Sequence, residues 1–118
     1  MKKILIVDDS KAMRLIVTRC LRQAGYGHCT FVEACDGDEA LVSIKAEAPD
    51  LVLSDWNMPR MLGIDLLKAA RAAGEKVRFG FVTSEVSEHI KTEARAAGAE
   101  FVISKPFTPE SFIMAIGT

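Results

Sequence analysis

Acidic, hydroxyl and ammonium side chains occur in this sequence at the ends of short apolar runs. The acids Asp8 and Asp9 follow the first run, Asp55 follows the third, Thr83 follows the fourth, and Lys105 lies just beyond the fifth. Carboxylates that gather in one place repel one another unless a cation lies among them. Oxygen ligands of this kind suit a hard divalent ion such as Mg²⁺. If the fold brings the three acids together, the sequence therefore predicts a magnesium site.

The same residues include the parts that phosphoryl transfer requires. That reaction needs an acceptor, a metal ion and a positive charge near the transferred oxygens. Asp55 is the best candidate acceptor because it stands alone, whereas the other two acids form a pair suited to the metal. Lys105 can supply the point charge, and the Thr83 hydroxyl can donate a hydrogen bond to a phosphoryl oxygen.

Each of these residues also has a plainer interpretation. The acidic pair precedes Ser10 and could simply favour the start of a helix. Asp55 could begin a turn, Thr83 could be an ordinary strand or capping residue, and Lys105 could be a solvated side chain. The chemical interpretation is preferred because a bound cation relieves the repulsion among three neighbouring acids.

The apolar runs predict five strands, and the segments between them predict helices. Three of the runs are almost continuously apolar, as expected for strands that are buried on both faces. The runs lie at residues 4–7, 30–32, 51–53, 79–82 and 101–103. Helical patterns cover about residues 11–24, 38–46, 63–73 and 87–97, and a last short helix begins after Thr108. Glycines follow the first, third and fourth of these helices, as is typical of helix C-termini.

Five strand–helix units predict a doubly wound α/β fold, in which a parallel sheet has helices on both faces. The flavodoxin-like strand order 2-1-3-4-5 is the natural expectation for five units. That order places the functional edge between strands 1 and 3, where Asp8, Asp9 and Asp55 would meet. The expected unit is one domain over residues 1–118.

Composition excludes several classes of function. The formal net charge of −1, with no basic stripe, argues against nucleic-acid binding. No apolar run is long enough for a signal-peptide core or a membrane span. The three cysteines form no C-x-x-C pair and their odd number does not suggest a disulfide framework. The sequence therefore predicts a cytoplasmic protein that binds neither nucleic acid nor membrane.

Four motifs in order give the chain a resemblance to the receiver domain of bacterial response regulators. They are Ile-Leu-Ile-Val-Asp-Asp-Ser at 4–10, Asp-Trp-Asn-Met-Pro at 55–59, Thr83 with Glu85, and Lys-Pro-Phe at 105–107, and Ala-Gly-Ala at 97–99 supports them. The resemblance covers essentially the whole chain. The motif at 55–59 looks like that of chemotaxis members rather than that of transcription-factor receivers.

The resemblance implies a function in two-component signalling. Asp55 would accept a phosphoryl group from a phosphohistidine on a histidine kinase or phosphotransfer domain. Asp8 and Asp9 would hold Mg²⁺, with Asp55 and the backbone carbonyl of Asn57 as further ligands. Such a protein is not an enzyme in the usual sense, because it catalyses only its own phosphorylation and dephosphorylation. It is expected to be a monomer that switches a surface for an output partner, such as a flagellar motor switch protein.

The resemblance also assigns the remaining site residues. Thr83 and Lys105 would contact the phosphoryl group, and the peptide bond between Lys105 and Pro106 would be cis. Asn57 and Glu85 match positions that, in the family, tune hydrolysis of the acyl phosphate.

The position three residues before the lysine departs from the family pattern. Receivers usually carry Tyr or Phe three residues before the lysine, where its rotamer reports phosphorylation, but this chain has Val102 there. Strand alternation predicts that the preceding Phe101 points to the opposite face of the sheet. Valine has no long side chain to rotate. This leaves open a single-domain receiver outside chemotaxis, or a phosphate sink.

Two other classes of protein fit less well. Phosphohydrolases of the haloacid dehalogenase type also form an aspartyl phosphate, but they require Asp-x-Asp after the first strand, where this chain has Asp-Asp-Ser. They also require a cap insertion, for which 118 residues leave no room. A flavin-binding module is opposed by the acidic edge and by the lack of a Gly-rich phosphate loop.

The sequence also allows predictions for the exposure or role of three further side chains near the predicted site. Trp56, next to the acceptor, is expected to be partly exposed, so that its fluorescence would report metal and phosphoryl binding. Lys11 and Arg14 on the first helix are either part of a kinase-docking face or ordinary solvated charges.

Overall fold

Five parallel strands and five α-helices alternate along the chain in the computed structural model, which describes residues 1–117. The strands β1 to β5 are Lys3–Val7, Thr30–Ala34, Leu51–Ser54, Arg78–Thr83 and Phe101–Ser104. The helices α1 to α5 are Lys11–Leu21, Gly37–Glu47, Gly63–Ala72, Glu88–Ala97 and Pro109–Ile116. The strands form one sheet in the order β2-β1-β3-β4-β5, which confirms the predicted fold and strand order. The final residue of the predicted unit, Thr118, lies outside the described residues.

The sheet separates two apolar layers because successive side chains of a strand point to opposite faces. In β1, Leu5 and Val7 pack with α2, α3 and α4, whereas Ile4 and Ile6 pack with α1 and α5. These four side chains are at most 1% exposed. The central strands are therefore buried on both faces, and they present polar groups only where they end.

Local capping sets most of the helix ends. Ser10, Asp36, Ser87 and Thr108 are N-caps, and each side chain accepts a hydrogen bond from an amide in the first turn of its helix. The end of the first helix also agrees with the prediction. Regular α-helix ends at Leu21, helical backbone continues to Ala24, and Gly25, with φ 102°, ends it.

The aromatic residue at the start of β5 points away from the face of its neighbour. Phe101 packs with the α1/α5 layer, whereas Val102 packs with the layer of α2, α3 and α4, as strand alternation predicted. The ring of Phe101 lies over Gly80 of β4, where any Cβ would overlap it. A glycine at position 80 is therefore what makes room for this aromatic ring.

Among residues 1–117, no helix is both long enough and apolar enough to cross a membrane.

Candidate functional site

Three carboxylates meet at the carboxyl edge of the sheet. Asp8 and Asp9 follow β1, and Asp55 follows the neighbouring strand β3. The two strands are in register from Ile4 to Val7, and the Asp55 amide donates to the Val7 carbonyl at 2.9 Å. As a result, one carboxylate oxygen of each acid lies within 4.8 Å of those of the other two. The structure thus brings together the three acids that the sequence placed at this edge.

An ammonium group reaches this cluster from the edge strand β5. Lys105 follows β5, and its Nζ lies 3.4 Å from Asp8 Oδ2 and 3.5 Å from Asp55 Oδ2. Its amide donates to the Thr83 carbonyl at 2.9 Å, which anchors the backbone of the lysine to the end of β4. The Lys105–Pro106 peptide bond is cis, as the resemblance implied.

The surroundings of Asp55 favour its protonated form over its ionised form. Burial raises its pKa above the ordinary value of 3.8. Lys105 opposes this increase, Asp8 adds to it, and a hydrogen bond from the Trp56 amide to Asp55 Oδ1, at 2.7 Å, lowers the pKa. The net effect is a raised pKa. A second positive charge among these acids would stabilise their ionised forms.

The donor set fits a magnesium ion. It consists of hard carboxylate oxygens at close spacing, with one acid buried, one half-buried and one exposed to solvent. Mg²⁺ is usually bound by few carboxylates and keeps several water ligands, which the exposed side of Asp9 allows. The chemistry of the donors therefore agrees with the predicted metal.

Thr83 ends the strand next to β3, Asn57 lies in the loop after β3, and their predicted roles stay predictions. Thr83 is the last residue of β4 and is fully buried, and its hydroxyl accepts a hydrogen bond from the Glu85 amide at 3.2 Å. Asn57 lies two residues beyond the acceptor, in the loop between β3 and α3, and it is exposed. The hydroxyl of Thr83 can still donate its proton to a phosphoryl oxygen, because the bond from the Glu85 amide uses the hydroxyl oxygen only as an acceptor.

The expectation for Trp56 was wrong. The residue is only 6% exposed, and its ring packs on that of Phe81 with centroids 4.8 Å apart. The Gly63 amide donates to the Trp56 carbonyl at 2.8 Å and so closes the loop before α3 over the ring. An indole beside a buried strand gains more from this packing than from solvent. Trp56 contacts the acceptor through its backbone amide, a link that the sequence did not reveal.

Arg14 was missed as a residue of the site. Its side chain is 13% exposed, its Nε pairs with Glu33 Oε1 at 2.7 Å, and its Nη1 donates to the Asp8 carbonyl at 2.6 Å. The solvated-charge interpretation is therefore wrong for Arg14. One signal was available: helical side chains point back towards the N-terminus, so an arginine in the first turn covers the preceding loop.

Comparison with known proteins agrees with the fold. The sequence model of the response regulator receiver domain family matches residues 4–117. Chemotaxis protein CheY-3 of Vibrio cholerae is 45% identical over 108 residues, which cover 90% of this chain and 82% of the relative. Chemotaxis protein CheY of Pseudomonas aeruginosa is 41% identical over 111 residues, covering 92% and 87%. The solved structure of CheY4 from Vibrio cholerae superposes with a TM-score of 0.86 at 36% identity, covering 99% and 97%.

Proposed function

The chain belongs to the response regulator receiver domain family, and we propose that it accepts a phosphoryl group on Asp55 in a Mg²⁺-dependent reaction. The donor is a phosphohistidine on a histidine kinase or phosphotransfer domain. The observation that supports this proposal is the meeting of three carboxylates with the Lys105 ammonium group at the carboxyl edge of the sheet.

Asp55 is the nucleophile of the proposed transfer. One of its carboxylate oxygens forms a bond to phosphorus while the bond from phosphorus to the histidine nitrogen breaks, and the electron pair of that bond returns to the imidazole. The hydrogen bond from the Trp56 amide occupies Oδ1, and this leaves Oδ2, which faces Lys105, as the reactive oxygen.

The other residues stabilise charge on the transferred group. The Lys105 ammonium group, already 3.5 Å from Asp55 Oδ2, pairs with a phosphoryl oxygen. The Thr83 hydroxyl donates to another oxygen. Asp8, Asp9 and Asp55, with the backbone carbonyl of Asn57, would hold Mg²⁺. When bound, the ion would supply positive charge that offsets the negative charge of the phosphoryl oxygens.

The proposed output is a phosphorylation-dependent change of a surface that binds a partner protein. The chemotaxis relatives favour a partner of the flagellar motor switch kind. The protein would act as a monomer in the cytoplasm and would catalyse only its own phosphorylation and dephosphorylation. A second candidate, favoured by Val102, is a phosphate sink or a receiver outside chemotaxis, because valine cannot carry a rotamer signal to the surface of α4 and β5.

Intact-mass measurement tests the chemistry. The protein is treated with a small acyl-phosphate donor in the presence of Mg²⁺ or of a chelator. We expect the gain of one phosphoryl group with Mg²⁺ only, and no gain for Asp55→Asn. The matched control is Asp38→Asn, which removes an exposed acid from α2 and should leave the gain intact. A gain that survives in Asp55→Asn would refute the assignment of the acceptor.

The output is tested separately. Binding of a flagellar motor switch protein is measured with and without beryllofluoride, which mimics the phosphoryl group. An increase in affinity with beryllofluoride would support the chemotaxis output. If the affinity for the motor switch protein is unchanged while the protein still accepts phosphoryl groups from a kinase, the phosphate-sink alternative is favoured.

A further inference from the structure

A half-buried arginine links the turn that carries Asp8 and Asp9 to strand β2. The guanidinium group of Arg14 pairs with Glu33 of β2 at 2.7 Å and donates to the backbone carbonyl of Asp8 at 2.6 Å. Arg14 is 13% exposed at its side chain and Glu33 is 44% exposed. Such a fork, with two donors fixed in one plane, matches two acceptors at once in a way that a lysine ammonium group cannot.

The hydrogen bonds around Asp8 leave it little freedom. Its amide donates to the Ala34 carbonyl at 3.2 Å, and its Oδ1 accepts from the Ser10 amide at 2.9 Å. Its carbonyl accepts from Arg14. Because a peptide unit is planar, a fixed carbonyl at residue 8 also fixes the amide and the Cα of Asp9. The contact with Arg14 therefore orients the second acid of the pair, the one that is exposed to solvent and has less packing around it.

We propose that Arg14, held in place by Glu33, is a positioning residue for the magnesium site. It fixes the peptide unit between Asp8 and Asp9 so that the Asp9 carboxylate faces the other two acids. This role rests on the proposed function, since it presumes that the acid cluster binds Mg²⁺. Outer-sphere partners that orient metal ligands typically contribute 10–100-fold in metal affinity.

Positioning and simple electrostatics predict opposite effects when the charge is removed. If Arg14 acted only as a nearby positive charge, its removal would strengthen the binding of a divalent cation. If it positions Asp9, its removal weakens binding although a repulsive charge has been lost. Arg14→Gln removes both the charge and the fork, whereas Arg14→Lys keeps the charge and loses the fork.

The chain offers a matched control at the opposite end of the sheet. Arg78, at the start of β4, pairs with Glu100 at 2.9 Å and donates to the Ile116 carbonyl at 2.8 Å. Arg78→Lys therefore disturbs the same kind of arginine–glutamate–carbonyl arrangement far from the acids.

Titration calorimetry with MgCl₂ tests the proposal. We expect Mg²⁺ to bind about 10-fold more weakly to Arg14→Gln and to Arg14→Lys than to the unmodified protein. Arg78→Lys should bind it normally, and circular dichroism should show that all variants are folded at the temperature used. Glu33→Gln serves as a milder variant, which should fold even if Arg14→Gln does not, and its affinity should fall between those of Arg14→Lys and the unmodified protein.

The outcomes separate the two proposals. Mg²⁺ affinity that is unchanged or increased in both Arg14 variants would overturn the positioning role while leaving the metal site intact. An equal loss of affinity in Arg78→Lys would also overturn it, because the effect would then be one of general stability. If the unmodified protein shows no binding of Mg²⁺, the proposed metal site fails and the role of Arg14 fails with it.

Discussion

Gly63→Ala should disturb the acceptor through a steric contact that the structure makes explicit. Gly63 begins α3, and a Cβ built on it would overlap the Asp55 carbonyl and lie 2.8 Å from Cε1 of Phe81. An ordinary contact begins at 3.4 Å, so the Phe81 ring would have to move by about 0.6 Å and the carbonyl by more. The carbonyl cannot move freely, because the Asp55 amide is bonded to Val7 and the Trp56 carbonyl to Gly63 itself.

The expected cost is the balance of two opposing effects. Overpacking of a rigid site costs about 1–3 kcal/mol, and the restricted carbonyl places this site near about 3 kcal/mol. Replacing glycine by alanine in a helix stabilises the folded protein by at most about 1 kcal/mol, through the higher helix propensity of alanine. We therefore expect Gly63→Ala to lower the free energy of unfolding by about 2 kcal/mol, or the melting temperature by about 8 °C for a domain of this size.

The same displacement should slow phosphorylation. A reacting group misplaced by about 1 Å can lose about 100-fold in rate, and the backbone that moves carries the acceptor. Urea unfolding and the rate of mass gain with an acyl-phosphate donor measure the two effects. The matched control is Gly27→Ala, because Gly27 has φ −64° and its nearest neighbour to a Cβ is the Arg22 side chain at 4.0 Å. This control should be neutral or more stable by up to about 1 kcal/mol.

If Gly63→Ala were as stable as Gly27→Ala and were phosphorylated at the normal rate, the argument from close packing would be wrong. The loop between β3 and α3 would then yield to a methyl group without moving Asp55.

Two further predictions follow from the electrostatics and from the packing of β5. Burial raises the pKa of Asp55 in the folded protein, so stability is lost as the pH rises through that pKa. Asp55→Asn should therefore stabilise the metal-free protein against urea by an amount that is small below pH 3.8, grows as the pH rises through the raised pKa of Asp55, and is constant above it. A difference that does not change across this pH range would contradict the reasoning. Gly80→Ala should destabilise by about 1–3 kcal/mol because its Cβ would overlap the Phe101 ring. In the background of Phe101→Ala the same change should cost much less, and additive effects in this double-mutant cycle would rule out the proposed contact.

The acids and the lysine show how much of the site could be predicted from the sequence. Their positions at strand ends could be predicted because apolar runs mark strands, and because parallel strands of known order meet at one edge. Lys105 and Asp8 are 97 residues apart in the chain, and only the register of the sheet brings Nζ to 3.4 Å from the carboxylate. The prediction therefore named the participants, and the structure supplied the distances.

Trp56 and Arg14 show where prediction from the sequence stopped. The burial of Trp56 depends on the ring of Phe81, which comes from another strand, and on the loop that Gly63 closes. The contact of Arg14 with the Asp8 carbonyl requires Glu33 on β2 to lie beside the first turn of α1. Neither arrangement leaves a periodic signal, because each depends on side-chain packing between elements that are distant in the chain.

The sequence by itself determined the elements and the identity of the clustered acids, because these follow from local periodicity, capping residues and the positions of strand ends. Periodicity does not give the strand order, and the expected order 2-1-3-4-5 was confirmed by the structure. The tertiary structure alone decided which groups surround Asp55 and how they shift its pKa. It also decided that Phe101 lies over Gly80 and that Arg14 donates a hydrogen bond to the Asp8 carbonyl. The physical reason is that hydrogen bonds and desolvation act over a few ångströms in space, whereas sequence patterns record only neighbours along the chain.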